Sequence, residues 1–207
     1  YLAPANEADP SVNLCPKSTA ECRLACLYGT GMAGVFPSIK RARIAKTQWY
    51  LRDPKSFIAT LRSDIYKLTV LAAARGLKPA VRLNGTSDLP KLALALVSEF
   101  PQVQFYDYTK LDKPWLRTRD NYHLTFSFSG DNLAMAKQCL ARGINVAVVF
   151  NSDKFPATWH GVPVVNGDTT DLRFLDPQGV IVGLKAKGAA KQLTVGGFVQ
   201  ISNRKGE

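Results

Sequence analysis

Three of the four cysteines in this 207-residue chain, Cys15, Cys22 and Cys26, crowd into one segment, with six residues between the first pair and three between the second. Thiolates at such spacings reach a single centre, and the Pro and Ser/Thr residues around them favour a loop. Three thiolates leave one coordination position open. A structural zinc site normally closes with four ligands, whereas an iron–sulfur cluster with an open iron holds a substrate or cofactor there. Cys ligands suit both metals. The residues themselves leave three readings open: a cluster, zinc completed by a distant His123 or His160, and plain reduced thiols or a disulfide. A lone His on a strand otherwise reads as a hydrogen-bonded structural residue. Cys139 lies far away in a helical stretch and reads as core.

A second group of reactive residue types recurs at the ends of strand-like runs. These are Asn84-Gly85-Thr86-Ser87-Asp88, Asp107-Tyr108-Thr109-Lys110, Ser127-Phe128-Ser129-Gly130 and Asn151-Ser152-Asp153. Each is an ordinary turn or capping sequence taken alone. In parallel sheets and barrels, however, ligands gather at the carboxyl edge, and four such loops favour a shared site.

The elements that must position these residues follow from hydrophobic pattern. Strands are expected over 79–85, 103–108, 122–128, 145–150, 161–165 and 179–184. Helices are expected over 54–75, stopping at Gly76, over 88–100 behind an Asp88 cap, and over 129–142, stopping at Gly143. This alternation implies right-handed crossovers and a mainly parallel sheet, hence an α/β fold. We expect one domain over 1–207 with a cysteine-rich loop at 13–34. Pattern alone does not choose between an open sheet and a barrel-like arc.

Composition narrows the function classes. Hydrophobic residues make up 46% and charged residues 21%, which excludes a disordered chain. No apolar run is long enough to span a bilayer. The first residue is Tyr rather than Met, so the start is expected to be missing or removed. The net charge of +11 suits a polyanionic partner, most simply nucleic acid. Lys40, Arg41, Arg43 and Lys46 are interleaved with Trp49 and Tyr50, as in a groove that tracks phosphate and stacks a base. The same segment also reads as a solvated helix face with an apolar stripe. The Gly-rich stretch 29–34 lacks the Lys of a phosphate loop.

Several motifs together resemble the phage proteins named gene product 88-like. They are Cys15-Pro16 through Cys26-Leu27, Ala42-Arg43-Ile44-Ala45-Lys46-Thr47, Arg82-Leu83-Asn84-Gly85-Thr86-Ser87-Asp88, Val103 through Lys110, Asn166-Gly167-Asp168, Asp171-Leu172-Arg173-Phe174 and Val182 through Gly188. The resemblance spans nearly the whole chain and implies a phage or prophage source, with the protein in the cytoplasm of the infected or lysogenic bacterial host. More loosely, a three-cysteine loop ahead of strands ending in polar turns is similar to radical S-adenosylmethionine enzymes. That similarity implies a [4Fe–4S] cluster in a partial (β/α) barrel, with S-adenosylmethionine bound at the open iron. By the same similarity Tyr1-Leu2-Ala3-Pro4 would end a first strand, and Asn84, Gly85, Ser87 and Asp88 would hold the cofactor. The usual spacing in those enzymes is three and then two intervening residues; here it is six and three.

The leading expectation is a phage iron–sulfur enzyme of this kind acting on a nucleic acid or nucleotide. Cys15, Cys22 and Cys26 would ligate the cluster, and Asp107, Lys110 and Ser127 would face substrate as catalytic candidates. The alternatives are a non-catalytic nucleic-acid-binding phage protein with a structural metal site, and a metal-dependent nuclease using carboxylates such as Asp88, Asp107, Asp168 and Asp171.

Overall fold

The computed structural model describes residues 1–193 and 197–201. Six α-helices lie within them: α1 (Ala20–Leu24), α2 (Gly31–Val35), α3 (Pro37–Arg52), α4 (Pro54–Ala74), α5 (Pro90–Val97) and α6 (Leu133–Ala141). The strands are β1 (Ala80–Val81), β2 (Gln104–Thr109), β3 (Tyr122–Ser127), β4 (Val146–Phe150), β5 (Thr158–Trp159), β6 (Val162–Asn166), β7 (Ile181–Lys185) and β8 (Val199–Gln200). Their order is β1-β2-β3-β4-β7-β6-β5, with β8 also against β4. The pairs β1–β2, β3–β4, β4–β7, β4–β8 and β6–β7 are parallel, and the short β5–β6 hairpin pairs antiparallel. The α/β class with a mainly parallel sheet is therefore the one expected. Among the described residues no helix is long and apolar enough to cross a membrane.

The chain forms two compact units, each assembled from separated stretches of sequence. The first takes Tyr1–Pro16, Phe36–Asp107 and Lys113–His123; the second takes Lys17–Val35, Tyr108–Asp112 and the chain from Leu124 onward.

In the first unit α3 and α4 are joined through Asp53. Its carboxylate accepts the Ser56 N–H at 3.1 Å, and Pro54 opens the helix at a position where no amide bond is lost. Gly76, at φ +63, ends α4, and the Leu77 N–H turns back to the Ala72 carbonyl. Phe57 packs edge-on against Trp49 and Tyr50, at 5.2 and 5.4 Å between ring centres. Leu2, Leu14 and Leu92 are buried in the same cluster.

In the second unit β4 runs through the core, with Val146, Val148 and Phe150 fully buried. β3, β7 and β8 pair with it. Cys139 on α6 is fully buried among Phe126, Phe128 and Ile181, as its sequence context predicts. Gly143, at φ +74, ends α6 as expected.

Two boundaries differ from the sequence expectation for a local reason. β1 pairs over only two residues because the backbone N–H of Asn84 turns to a side chain instead of a neighbouring strand. α5 starts at Pro90 with Leu89 as its N-cap and no side-chain cap, so Asp88 does not cap it.

Candidate functional site

The first unit places Asn84, Ser87 and Asp107 in one hydrogen-bonded network at the ends of β1 and β2. Asn84 donates its backbone N–H to Asp107 Oδ1 at 2.7 Å and its Nδ2 to Oδ2 at 3.0 Å. Tyr122, at the start of β3, donates its hydroxyl to the same Oδ2 at 3.0 Å. On its other side, Asn84 Oδ1 accepts from Ser87 Oγ at 2.9 Å and from the Leu89 N–H at 3.0 Å. Asn84 thus fixes the turn from both ends, and it guides the chain into α5 where a cap would otherwise act.

Asp107 is 1% exposed. Burial pushes its carboxyl up to about 6, while the two Asn84 donors, the Tyr122 hydroxyl and the Arg82 charge pull the other way. The Tyr122 hydroxyl is raised by burial and then by the Asp107 and Asp88 charges, so it stays a donor. The rest of the turn is equally tied down. Asp88 donates its N–H to the Leu14 carbonyl at 2.8 Å, and Thr86 Oγ1 donates to the Leu2 carbonyl at 2.6 Å. At Gly85 a Cβ would come within 2.4 Å of the Tyr1 ring, so only glycine lets that ring lie on the backbone. The Arg43 guanidinium sits 5.8 Å from the centre of the same ring.

Of the basic residues on α3, Arg41 and Lys46 are exposed, while Lys40 and Arg43 are half-buried. The helix carries five Lys or Arg and no Asp or Glu. Trp49 is half-buried and packs edge-on against Phe57 in the apolar cluster of the first unit. The Arg43 carbonyl accepts from Thr47 Oγ1, which in turn receives the Ala3 N–H at 2.8 Å.

Cys15 is also in the first unit. It is buried, and its N–H donates to Asn13 Oδ1 at 2.8 Å.

The second unit holds Cys22, Cys26, Lys110 and Ser127. Thr19 caps α1, accepting the Cys22 N–H at 3.1 Å while its hydroxyl donates to the Ser129 carbonyl at 3.0 Å. Cys22 thus lies on α1, anchored to the loop after β3, and Cys26 follows just beyond the C-cap Ala25, outside the helix. Burial raises the Cys22 thiol and the neighbouring Cys26 adds to this; Lys110, which hydrogen-bonds the sulfur, and Arg23 oppose it. Ser127 ends β3 half-buried, and its carbonyl accepts from Asn132 Nδ2 at 3.0 Å.

All four cysteines are thiols rather than disulfides. Among the described residues no group of three or more His, Cys, Asp or Glu side chains stands ready to hold a metal ion. His160, one of the two histidines offered for zinc, is exposed in the β5–β6 turn at φ +48, followed by Gly161 at φ +78. Successive left-handed residues of this kind make a tight hairpin turn, which is the role of this histidine. His123 lies on β3. Asp168 pairs with Lys187 at 2.7 Å.

Sequence reasoning missed Tyr122 as a partner of Asp107. The available signal was a tyrosine at the first position of the strand expected next to 103–108.

A family model described as Gene product 88 matches residues 1–198. No curated protein and no solved structure matches the chain.

Proposed function

This chain belongs to the Gene product 88 family, the phage family its motifs resemble, and we propose that it is an iron–sulfur protein of that family that acts on a nucleic acid or nucleotide. The observation that carries the reading is the pair of reduced thiols Cys22 and Cys26, close enough for one to act on the other, with the Lys110 ammonium beside Cys22; the sequence spacing adds Cys15 as the third ligand. The donor set fits a cluster in its chemistry: soft thiolates, no competing disulfide, and a cation next to one sulfur to offset the negative charge that three thiolates bring. A bound cluster, with S-adenosylmethionine at its open iron, would supply one-electron chemistry.

The chain's own residues supply position. Asn84 and Asp107 fix the shape of the turn that carries Gly85, Ser87 and Asp88, the turn assigned to S-adenosylmethionine. Asp107 acts through Asn84 and Tyr122, since both of its oxygens are engaged and it is enclosed. It is a positioning residue rather than one that meets substrate. Lys110 and Ser127 remain the substrate-side candidates. The substrate class rests on charge: the chain carries +11, and α3 is basic along its length with no acidic residue. Anaerobic purification followed by iron and sulfide analysis tests the cluster. Brown protein absorbing at about 400 nm is expected, and colourless protein with zinc in place of iron would favour a structural metal site.

A further inference from the structure

A cavity of ≈ 570 Å³ opens in the second unit at the carboxyl ends of β4 and β7. The two strands are in parallel register there, Phe150 opposite Lys185, and the Ala186 N–H extends the ladder to the Phe150 carbonyl. Beyond that point the chains part. The walls come from Asn151 to Asp153 on one side and from Lys185 to Gly188, with Lys191, on the other. The volume lies within the range of small-ligand sites, roughly 300–1,000 Å³.

The chemistry of the walls is cationic. Lys185, Lys187 and Lys191 all line the cavity, against the single carboxylate of Asp153. Lys187 is held from behind by Asp168, at the end of β6: its Nζ meets Asp168 Oδ1 at 2.7 Å, while the Lys185 N–H donates to Oδ2 at 2.8 Å. Burial by itself would raise the Asp168 carboxyl, but these two donors outweigh it and hold the group below its usual range. The Lys185 charge also acts on Asp168, and Lys191 is exposed at the cavity wall. The backbone is also specified. Asn151 Nδ2 binds the Lys191 carbonyl at 3.1 Å, and its N–H binds the Gln200 carbonyl at 2.8 Å. Gly188 sits at φ +53, where a Cβ would strike Thr30 Cγ2 at 2.3 Å. The motif Lys185-Ala186-Lys187-Gly188 is thus built to present two lysines from a turn that only glycine completes.

We propose that this cavity binds the phosphate groups of a nucleotide or nucleic acid, with Lys185, Lys187 and Lys191 as the anion's partners. Clustered ammonium groups in a concave wall at the carboxyl edge of parallel strands suit a phosphate oxyanion, and Lys supplies point charge without demanding bidentate geometry. The inference deepens the substrate half of the reading above and does not depend on a cluster.

The test is calorimetric titration of the full chain with inorganic pyrophosphate, ADP and an oligothymidylate at low salt. It compares wild type with Lys185→Gln/Lys191→Gln, and with Lys55→Gln/Lys78→Gln, two exposed lysines of the first unit, as a charge-matched control. Both pairs are exposed, so folding is checked by thermal melting alone. Pyrophosphate and at least one of the other two ligands should bind about tenfold more weakly to the cavity variant and unchanged to the Lys55/Lys78 variant. Equal losses in both variants would mean diffuse charge, and would overturn the site, as would wild type that binds none of the three. Repeating the titration with Cys22→Ala separates the two readings: cavity binding should persist there even when iron is lost.

Discussion

Asn84 gives Asp107 both its backbone N–H and its side-chain amide, at 2.7 and 3.0 Å, so one buried carboxylate holds the end of β1 to β2. The relationship has a pH signature. The carboxyl is raised from 3.8 to about 6 on folding, so between those values the folded state binds more proton than the unfolded one. Its contribution is therefore greatest at low pH and falls as pH rises to about 6, then stays level. Urea unfolding of wild type and Asp107→Asn should show the difference in stability, wild type minus variant, falling by at most about 3 kcal/mol between pH 4 and pH 6.5. A constant difference would mean that Asp107 titrates normally.

Asn84 is predicted to be the member of this network least open to change. In Asn84→Ala, Asp107 Oδ2 loses a donor while Ser87 Oγ and the Leu89 N–H lose their acceptor. Loss of about 2–3 kcal/mol is expected in chemical denaturation. Asn84→Asp should be no better, because it sets a second carboxylate against Asp107. Near-wild-type stability of either variant would show that the network is slack.

The family motif Asn166-Gly167-Asp168 has a steric reason at its centre. A Cβ on Gly167 would lie 2.5 Å from Val182 Cγ1 and 2.7 Å from Arg173 Nη1. Arg173 is fully buried and pairs with Asp176 at 3.3 Å, so it has little room to yield. Gly167→Ala should cost about 1–3 kcal/mol by overpacking. A thermal melt unchanged from wild type would show that the pocket relaxes.

The basic helix carries a prediction about salt. If α3 tracks phosphate, log affinity for single-stranded DNA should fall linearly with log salt, and Arg41→Gln/Lys46→Gln should flatten that slope by roughly 1.4. Trp49→Leu should change binding little, because the indole is committed to Phe57. An unaltered slope in the double variant would remove α3 from the interface.

Much of this architecture is legible in residue pattern. The strand and helix alternation, the stops at Gly76 and Gly143, and the burial of Cys139 all follow from periodicity and local backbone chemistry. So does the association of the 84–88 turn with strand ends. What pattern does not carry is which side chains meet across chain separations. The Asn84–Asp107 and Tyr122–Asp107 bonds join residues 23 and 15 positions apart, and nothing local in the sequence distinguishes them from exposed turn residues. The strand expected over 79–85 shortens because tertiary hydrogen bonds redirect its last residues. The two units were equally hidden, since each interleaves several stretches of chain and no linker separates them. The packing of Trp49 on Phe57 was likewise invisible, because Phe57 lies on the next helix.

The central claim is that three thiols hold a metal cluster, and iron content across cysteine variants tests it most directly. Anaerobically purified wild type should carry about four iron and four sulfide per chain. Cys15→Ala, Cys22→Ala and Cys26→Ala should each lose the cluster and its absorbance at about 400 nm, while Cys139→Ala keeps both despite its packing defect. Wild type without iron, or cluster content unchanged in all three single variants, would contradict the account.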